Sequence, residues 1–175
     1  MLALKDPLAT RSFPLLAALM PEARFVVIAR NPRDVAASRV RVTERAGAGE
    51  IGADLMANFC HDYNQAYQGI VGGAGPLAER LLLVNYEDLA RRGDTAAIAE
   101  FTGLDDIAAD RPWSRRDVDF DAIRDNPWIS RQYGRPLSAE SVGTFRDTLS
   151  PEAEAFVLER RGDTARALGV ALDPR

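Results

Sequence analysis

The sequence predicts an α/β fold with a parallel sheet, and three observations carry that expectation. Two short apolar runs, Arg24-Phe25-Val26-Val27-Ile28-Ala29 and Arg80-Leu81-Leu82-Leu83-Val84, have the uninterrupted, β-rich character of strands buried on both faces. Between them Met56, Phe59, Cys60, Tyr63, Tyr67 and Ile70 recur in steps of three and four, an apolar helical stripe. The connections are short, and helix–strand alternation with short loops is what parallel strands joined by crossover helices require. Two strands make a thin sheet for 175 residues, so further strands are expected to belong to it. With 46% hydrophobic and 27% charged residues the chain has an ordinary globular balance and the size of one domain, 1–175.

The elements follow in order. Leu8, Leu15, Leu16, Leu19 and Met20 have loose helical spacing, and Pro21 ends that run. After the first strand Asn31 can cap a helix, Pro32 fits its first position and Asp34 falls in its acidic first turn. Residues 45–52 are expected to be a glycine-containing loop, and 53–70 a long helix. Gly72-Gly73-Ala74-Gly75-Pro76 breaks the chain before the second strand. Asp94 can cap a short helix through Phe101, whereas 105–140, with both tryptophans and several prolines, lacks periodicity and is expected to be an irregular packed excursion. Ser150-Pro151-Glu152 opens a last helix to Leu168, which Gly169 stops.

Composition excludes several functions. One cysteine, Cys60, allows no internal disulfide framework, and one histidine, His61, allows no multi-histidine metal centre. The 22 basic and 26 acidic residues leave a net charge of −4, unlike a general nucleic-acid binder. No run approaches the ~20 apolar residues of a membrane span and no charged-then-apolar leader opens the chain, so a cytoplasmic location is expected. Lys5 is the sole lysine; every other cation is an arginine. Arginine suits forked contacts to phosphate, but a GC-biased coding sequence gives the same excess, and composition leaves both open.

Chemistry concentrates at Arg30-Asn31-Pro32-Arg33-Asp34-Val35-Ala36-Ala37-Ser38. Arg30 ends the first strand, at the carboxyl edge where open α/β sheets place ligands, and the following helix turns its free N–H groups toward that edge. Ser38 lies about one and a half turns inside, roughly 9 Å from the helix start. An arginine and a hydroxyl flanking a helix start suit one phosphate, although arginines near helix starts are also common without any ligand. The other singled-out residues have plain structural alternatives. Lys5 can be a solvated terminal charge, Tyr86 a packed strand-end aromatic, and Arg146 a surface or ion-pair arginine.

Lys5-Asp6-Pro7, followed by Pro21 to Ser38 with its Arg-Asn-Pro-Arg-Asp block, resembles the second half of sulfotransferases that use 3′-phosphoadenosine 5′-phosphosulfate (PAPS). Tyr86-Glu87-Asp88-Leu89, Phe101-Thr102-Gly103-Leu104 and Ser141-Val142-Gly143-Thr144-Phe145-Arg146 through Glu152 resemble that family's later blocks, in the same order. The resemblance implies a P-loop-like three-layer α/β fold with a parallel sheet. It implies that Arg30 and Ser38 hold the 3′-phosphate, that Tyr86 meets adenine, and that Lys5 is the catalytic cation. Arg146 is a further candidate for the nucleotide, beside Arg135. The implied reaction moves a sulfuryl group from PAPS to a hydroxyl or amine of a small molecule, glycan or peptide, without a metal.

Departures qualify it. The family's first strand and 5′-phosphosulfate loop have no counterpart, which implies an amino-terminally truncated domain that is expected to be marginally stable, to dimerise or to aggregate. Pro7 falls where cytosolic members carry their histidine base, and their Arg-Lys-Gly segment is unmatched around Ser138. A non-catalytic module binding adenosine 3′,5′-bisphosphate (PAP), or a fragment of a longer enzyme, therefore remains an alternative. A P-loop kinase relative is disfavoured because no Walker lysine is present.

Overall fold

The computed structural model describes residues 9–48, 52–73, 75–104 and 136–172, together with the single positions Ile107 and Asn126. A short 3-10 turn, Ala9–Ser12, leads into α1 (Phe13–Leu19), and then come β1 (Phe25–Ala29), α2 (Pro32–Ala46) and α3 (Ala53–Gly73). A turn at Gly75–Arg80 precedes β2 (Leu81–Asn85), which passes directly into α4 (Tyr86–Arg92) and on to α5 (Ala96–Thr102). Two single turns, Ala139–Ser141 and Thr144–Asp147, precede α6 (Pro151–Ala167). The α/β class with parallel strands is as the sequence predicts: β1 and β2 pair in parallel, Phe25 opposite Leu81 through Ala29 opposite Asn85. Lys5, Pro7, Arg135 and the tryptophan-bearing part of the 105–140 excursion lie outside the described residues.

The helix signals hold with small shifts. The Asn31 side chain accepts the Arg33 N–H, Pro32 takes the first helical position, and Gly47 closes α2 at φ 58°. Ser150 caps α6 in the same way, accepting the Ala153 N–H. The third helix runs to Gly73, past the expected end at 70, because glycine near a helix end is tolerated at a modest propensity cost. The block at Tyr86 is helical from its first residue, with Asn85 accepting the Asp88 N–H as cap.

Two apolar clusters share the long helix. Met56, Phe59, Cys60 and Tyr63 of α3 pack with Ala36, Ala37 and Val40 of α2, Val157 of α6, and Phe145 and Leu149. Its later turn puts Ile70 with Phe13, Ala17, Ala29, Ala165 and Leu168, and Phe25, Val27, Leu81 and Leu83 pack against that group. Gly69 permits the close approach of α1, since a Cβ there would stand 3.2 Å from the Pro14 ring.

The expectation of strands buried on both faces needs correction. Only the face carrying Phe25, Val27, Leu81 and Leu83 packs on a core cluster, while Ile28 on the other face is 46% exposed. Among the described residues β1 and β2 have no third strand beside them, and no helix of that sheet's far layer covers Ile28.

Candidate functional site

Parallel strands deliver their chain ends to one edge, and here that edge is built from the turn after β1 and the first turn of α4 after β2. Glu87 is the tie between them. Its buried carboxylate accepts the Asn31 N–H through Oε1 at 2.8 Å, so the first turn of α4 is fixed to the start of α2. Its other oxygen is buried with no hydrogen-bond partner among the described residues. Two tyrosines of α3, Tyr63 buried and Tyr67 half-buried, support the same strand end from below. Tyr63 donates to the Arg30 carbonyl and Tyr67 to the Ile28 carbonyl, both at 3.0 Å. Burial pushes both phenols above their ordinary range, so they stay protonated donors.

A third wall comes from the far end of the chain. The Asp34 carboxylate, 1% exposed, accepts the Gly143 N–H at 2.8 Å, the Phe145 N–H at 3.1 Å and the Thr144 hydroxyl at 3.3 Å. Gly143 has φ 79°, a conformation that favours glycine, and a Cβ there would run into the Arg146 guanidinium. Arg41 of α2 reaches the Thr144 carbonyl and the Thr148 hydroxyl. Arg33, 1% exposed, pairs with Glu154 of α6 at 2.8 Å while its guanidinium lies 4.0 Å from the centre of the Phe145 ring. Residues 141–149 are thus strapped to α2 by charge-assisted bonds over more than a hundred residues of sequence.

Against this frame the residues singled out from sequence take different places. Arg30 and Tyr86 come together: the guanidinium carbon lies 4.6 Å from the Tyr86 ring centre. Ser38 sits exposed on α2, and its hydroxyl makes no hydrogen bond among the described residues. Arg146 is exposed, lies 4.8 Å from the Phe145 ring centre, and lines a cavity of about 80 Å³ with Asn31, Asp34, Glu87, Arg91 and Gly143. Arg30, Tyr86 and Ser38 are outside that cavity, which has room for a few waters but not for a nucleotide. Lys5 falls outside the described residues. His61 is exposed on α3, and Cys60 is core, its thiol pushed up by burial. Among the described residues no group of three or more His, Cys, Asp or Glu side chains is placed to hold a metal ion. No helix among them is long and apolar enough to cross a membrane.

Sequence reasoning passes over Ser141 and Asp34 as site residues. Ser141 meets Arg30 and Tyr86 together, its carbonyl accepting from Arg30 and its hydroxyl lying 2.7 Å from the Tyr86 hydroxyl. The signal for Asp34 is local and ambiguous, because an acid in a first helical turn is explained by the helix dipole alone.

No curated protein and no solved structure matches the chain. A family model described as sulfotransferase family matches residues 1–108, which contain β1, the Arg30–Ser38 block, β2 and the Tyr86 block. With 108 of 175 residues matched, the chain belongs to the sulfotransferase family.

Proposed function

We propose that this chain binds the nucleotide of PAPS, with Arg30 and Ser38 on the 3′-phosphate and Tyr86 against adenine, in the service of sulfuryl transfer to a hydroxyl or amine. The observation that carries the reading is the Arg30–Tyr86 pair, a guanidinium and an aromatic face held 4.6 Å apart where two parallel strands end. Arginine supplies a rigid fork for a phosphate, and a tyrosine face supplies a stacking surface for a base. Arg30 makes one side-chain hydrogen bond among the described residues, from Nη2 to the Ser141 carbonyl, which leaves donor capacity on that guanidinium. Ser38, exposed on α2, the helix that follows Arg30, is free to turn its hydroxyl toward an anion.

PAPS, once bound, supplies the sulfuryl group, and charge grows on the oxygen that joins phosphorus to sulfur. Lys5 is the proposed cation for that charge. Arg146, beside Asn31 at the same edge, is a second proposed contact for the nucleotide. The acceptor is a small molecule, glycan or peptide. The 5′-phosphosulfate cradle typical of the family has no counterpart among the 175 residues. We therefore assign the 3′-nucleotide half of the site to this single P-loop-like domain, and expect transfer by this chain alone to be slow.

Calorimetry tests the reading. PAP should bind more tightly than AMP, and Arg30→Ala should remove about 1.5–3 kcal/mol of that preference, the size of a hydrogen bond to a charged group. Equal affinity for the two nucleotides would reject the assignment of Arg30.

A further inference from the structure

We propose that Ser141 is the positioning residue of this site, holding Arg30 and Tyr86 in a single mutual geometry; the proposal rests on the reading of Arg30 and Tyr86 as nucleotide ligands. Two atoms of Ser141 engage the two residues separately. Its carbonyl accepts from Arg30 Nη2 at 2.5 Å, and its hydroxyl lies 2.7 Å from the Tyr86 hydroxyl. Because Arg30 also lies over the Tyr86 ring, the three contacts close a ring of interactions. Ser141 thus reaches Arg30 through its backbone carbonyl and Tyr86 through its hydroxyl, so the hydroxyl bond also bears on where Arg30 sits.

Such closure matters for an arginine. A free guanidinium on a long stem must lose its rotamer freedom when an anion binds, and that loss weakens binding. Here the Ser141 carbonyl is the only hydrogen-bond acceptor Arg30 has among the described residues, so it fixes the fork before any ligand arrives. Ser141 owes its own place to the strap. The Gly143 and Phe145 amides next to it are locked to the buried Asp34 carboxylate, and Arg41 holds Thr144 and Thr148. The position of Arg30 is therefore set from a segment that lies more than a hundred residues later in the chain. AMP and PAP share the adenine and differ at the 3′-phosphate, so a disturbance that acts through Arg30 shows in the ratio of their affinities. A change in the folded fraction cancels in that ratio.

The experiment is calorimetric titration of the full chain with PAP and with AMP, for the parent protein and Ser141→Ala, Tyr86→Phe, the double variant, Ser141→Thr and Arg30→Ala. Ser141→Ala should lower the PAP/AMP ratio roughly two- to tenfold, the worth of one neutral hydrogen bond. Tyr86→Phe, which removes the same bond from its other side, should do likewise. The double variant should be no worse than either single change, because the two hydroxyls act as a unit. Ser141→Thr, which keeps the hydroxyl, should restore the ratio. If Arg30→Ala lowers the ratio but Ser141→Ala and Tyr86→Phe, which keep the Ser141 carbonyl, leave it intact, the Ser141–Tyr86 bond positions nothing and the closed ring is overturned while the nucleotide reading stands. Additive effects of the two single changes would likewise overturn the closed ring. A parent protein that binds both nucleotides equally removes the reading of Arg30 and this proposal together.

Discussion

The carboxyl end of β1 and the outward face of the same strand, a few residues apart, are stabilised in opposite ways. At the strand end the buried charges all meet partners distant in sequence: Arg33 meets Glu154, Asp34 meets the Gly143 and Phe145 amides, and Glu87 meets Asn31. On the outward face Ile28 is left 46% exposed, and neither Val26 nor Leu82 joins a core cluster. Buried charge is expensive unless every member of its network is paired, so the strand end tolerates little change. A half-exposed apolar face has little to lose. The site-bearing end of the sheet is thus held by long-range polar ties, with only Glu87 Oε2 and Arg30 Nε left buried without a partner there among the described residues, and the rest of that sheet is held by packing on one side.

The largest effect should come from breaking the ion pair of Arg33 and Glu154. Glu154→Ala leaves a guanidinium 1% exposed without its carboxylate and should cost about 3–5 kcal/mol in urea unfolding. Replacing both partners with methionine should recover much of that loss, since the unpaired charge is gone. Asp34→Asn comes next. Its amide can no longer accept on both sides of the strap, and about 1–3 kcal/mol should be lost. Faster hydrogen exchange at the Gly143 and Phe145 amides would localise the damage, whereas unchanged protection there would show that Asp34 does not hold the strap.

A smaller effect is set by pH. The folded state holds the Tyr63 and Tyr67 phenols above their ordinary value, first because desolvation disfavours the phenolate and then because the Glu87 carboxylate lies near. In the unfolded chain they ionise near pH ~10. Above that pH the unfolded state gives up protons that the folded state retains, so stability present at neutral pH declines as pH rises further. Tyr63→Phe should lose about 1 kcal/mol at neutral pH and flatten the alkaline decline. An unfolding midpoint for Tyr63→Phe that falls with alkali as steeply as the parent's would exclude this residue as a source.

Much of this was legible in sequence wherever the cause is local. The period-three-and-four stripe on α3 and the Asn31-Pro32 helix start depend on residues within one turn, and both are observed. The α4 helix was hidden because Tyr86-Glu87-Asp88 has too short a periodic run to declare itself, and its cap, Asn85, still belongs to the strand. The strap was hidden for a different reason. Asp34, Arg33 and Arg41 look like an ordinary amphipathic helix surface until the Gly143–Phe145 turn and α6 are laid upon them. The two-faced burial of the strands failed because a continuous apolar run states what a strand can bury, not how many neighbours it finds.

The smallest effect sharpens the comparison on β1 itself. Val27 and Ile28 are adjacent, but alternation sends Val27 to the cluster of Phe13, Ile70 and Leu168 and leaves Ile28 on the outward face. A threonine is β-branched and keeps strand geometry, so substitution at either position changes polarity more than backbone preference. Val27→Thr puts a hydroxyl against an apolar cluster and should cost about 1–2 kcal/mol. Ile28→Thr should stay within about 0.5 kcal/mol, since its side chain gives up little buried area. If Ile28 meets a second copy of the chain, as the expected dimer would require, Ile28→Thr should also weaken any concentration dependence in sedimentation and in the unfolding midpoint. Equal losses at the two positions would show that the outward face is covered in solution, and the contrast between the ends of this strand would then rest on the ion pair and the strap alone.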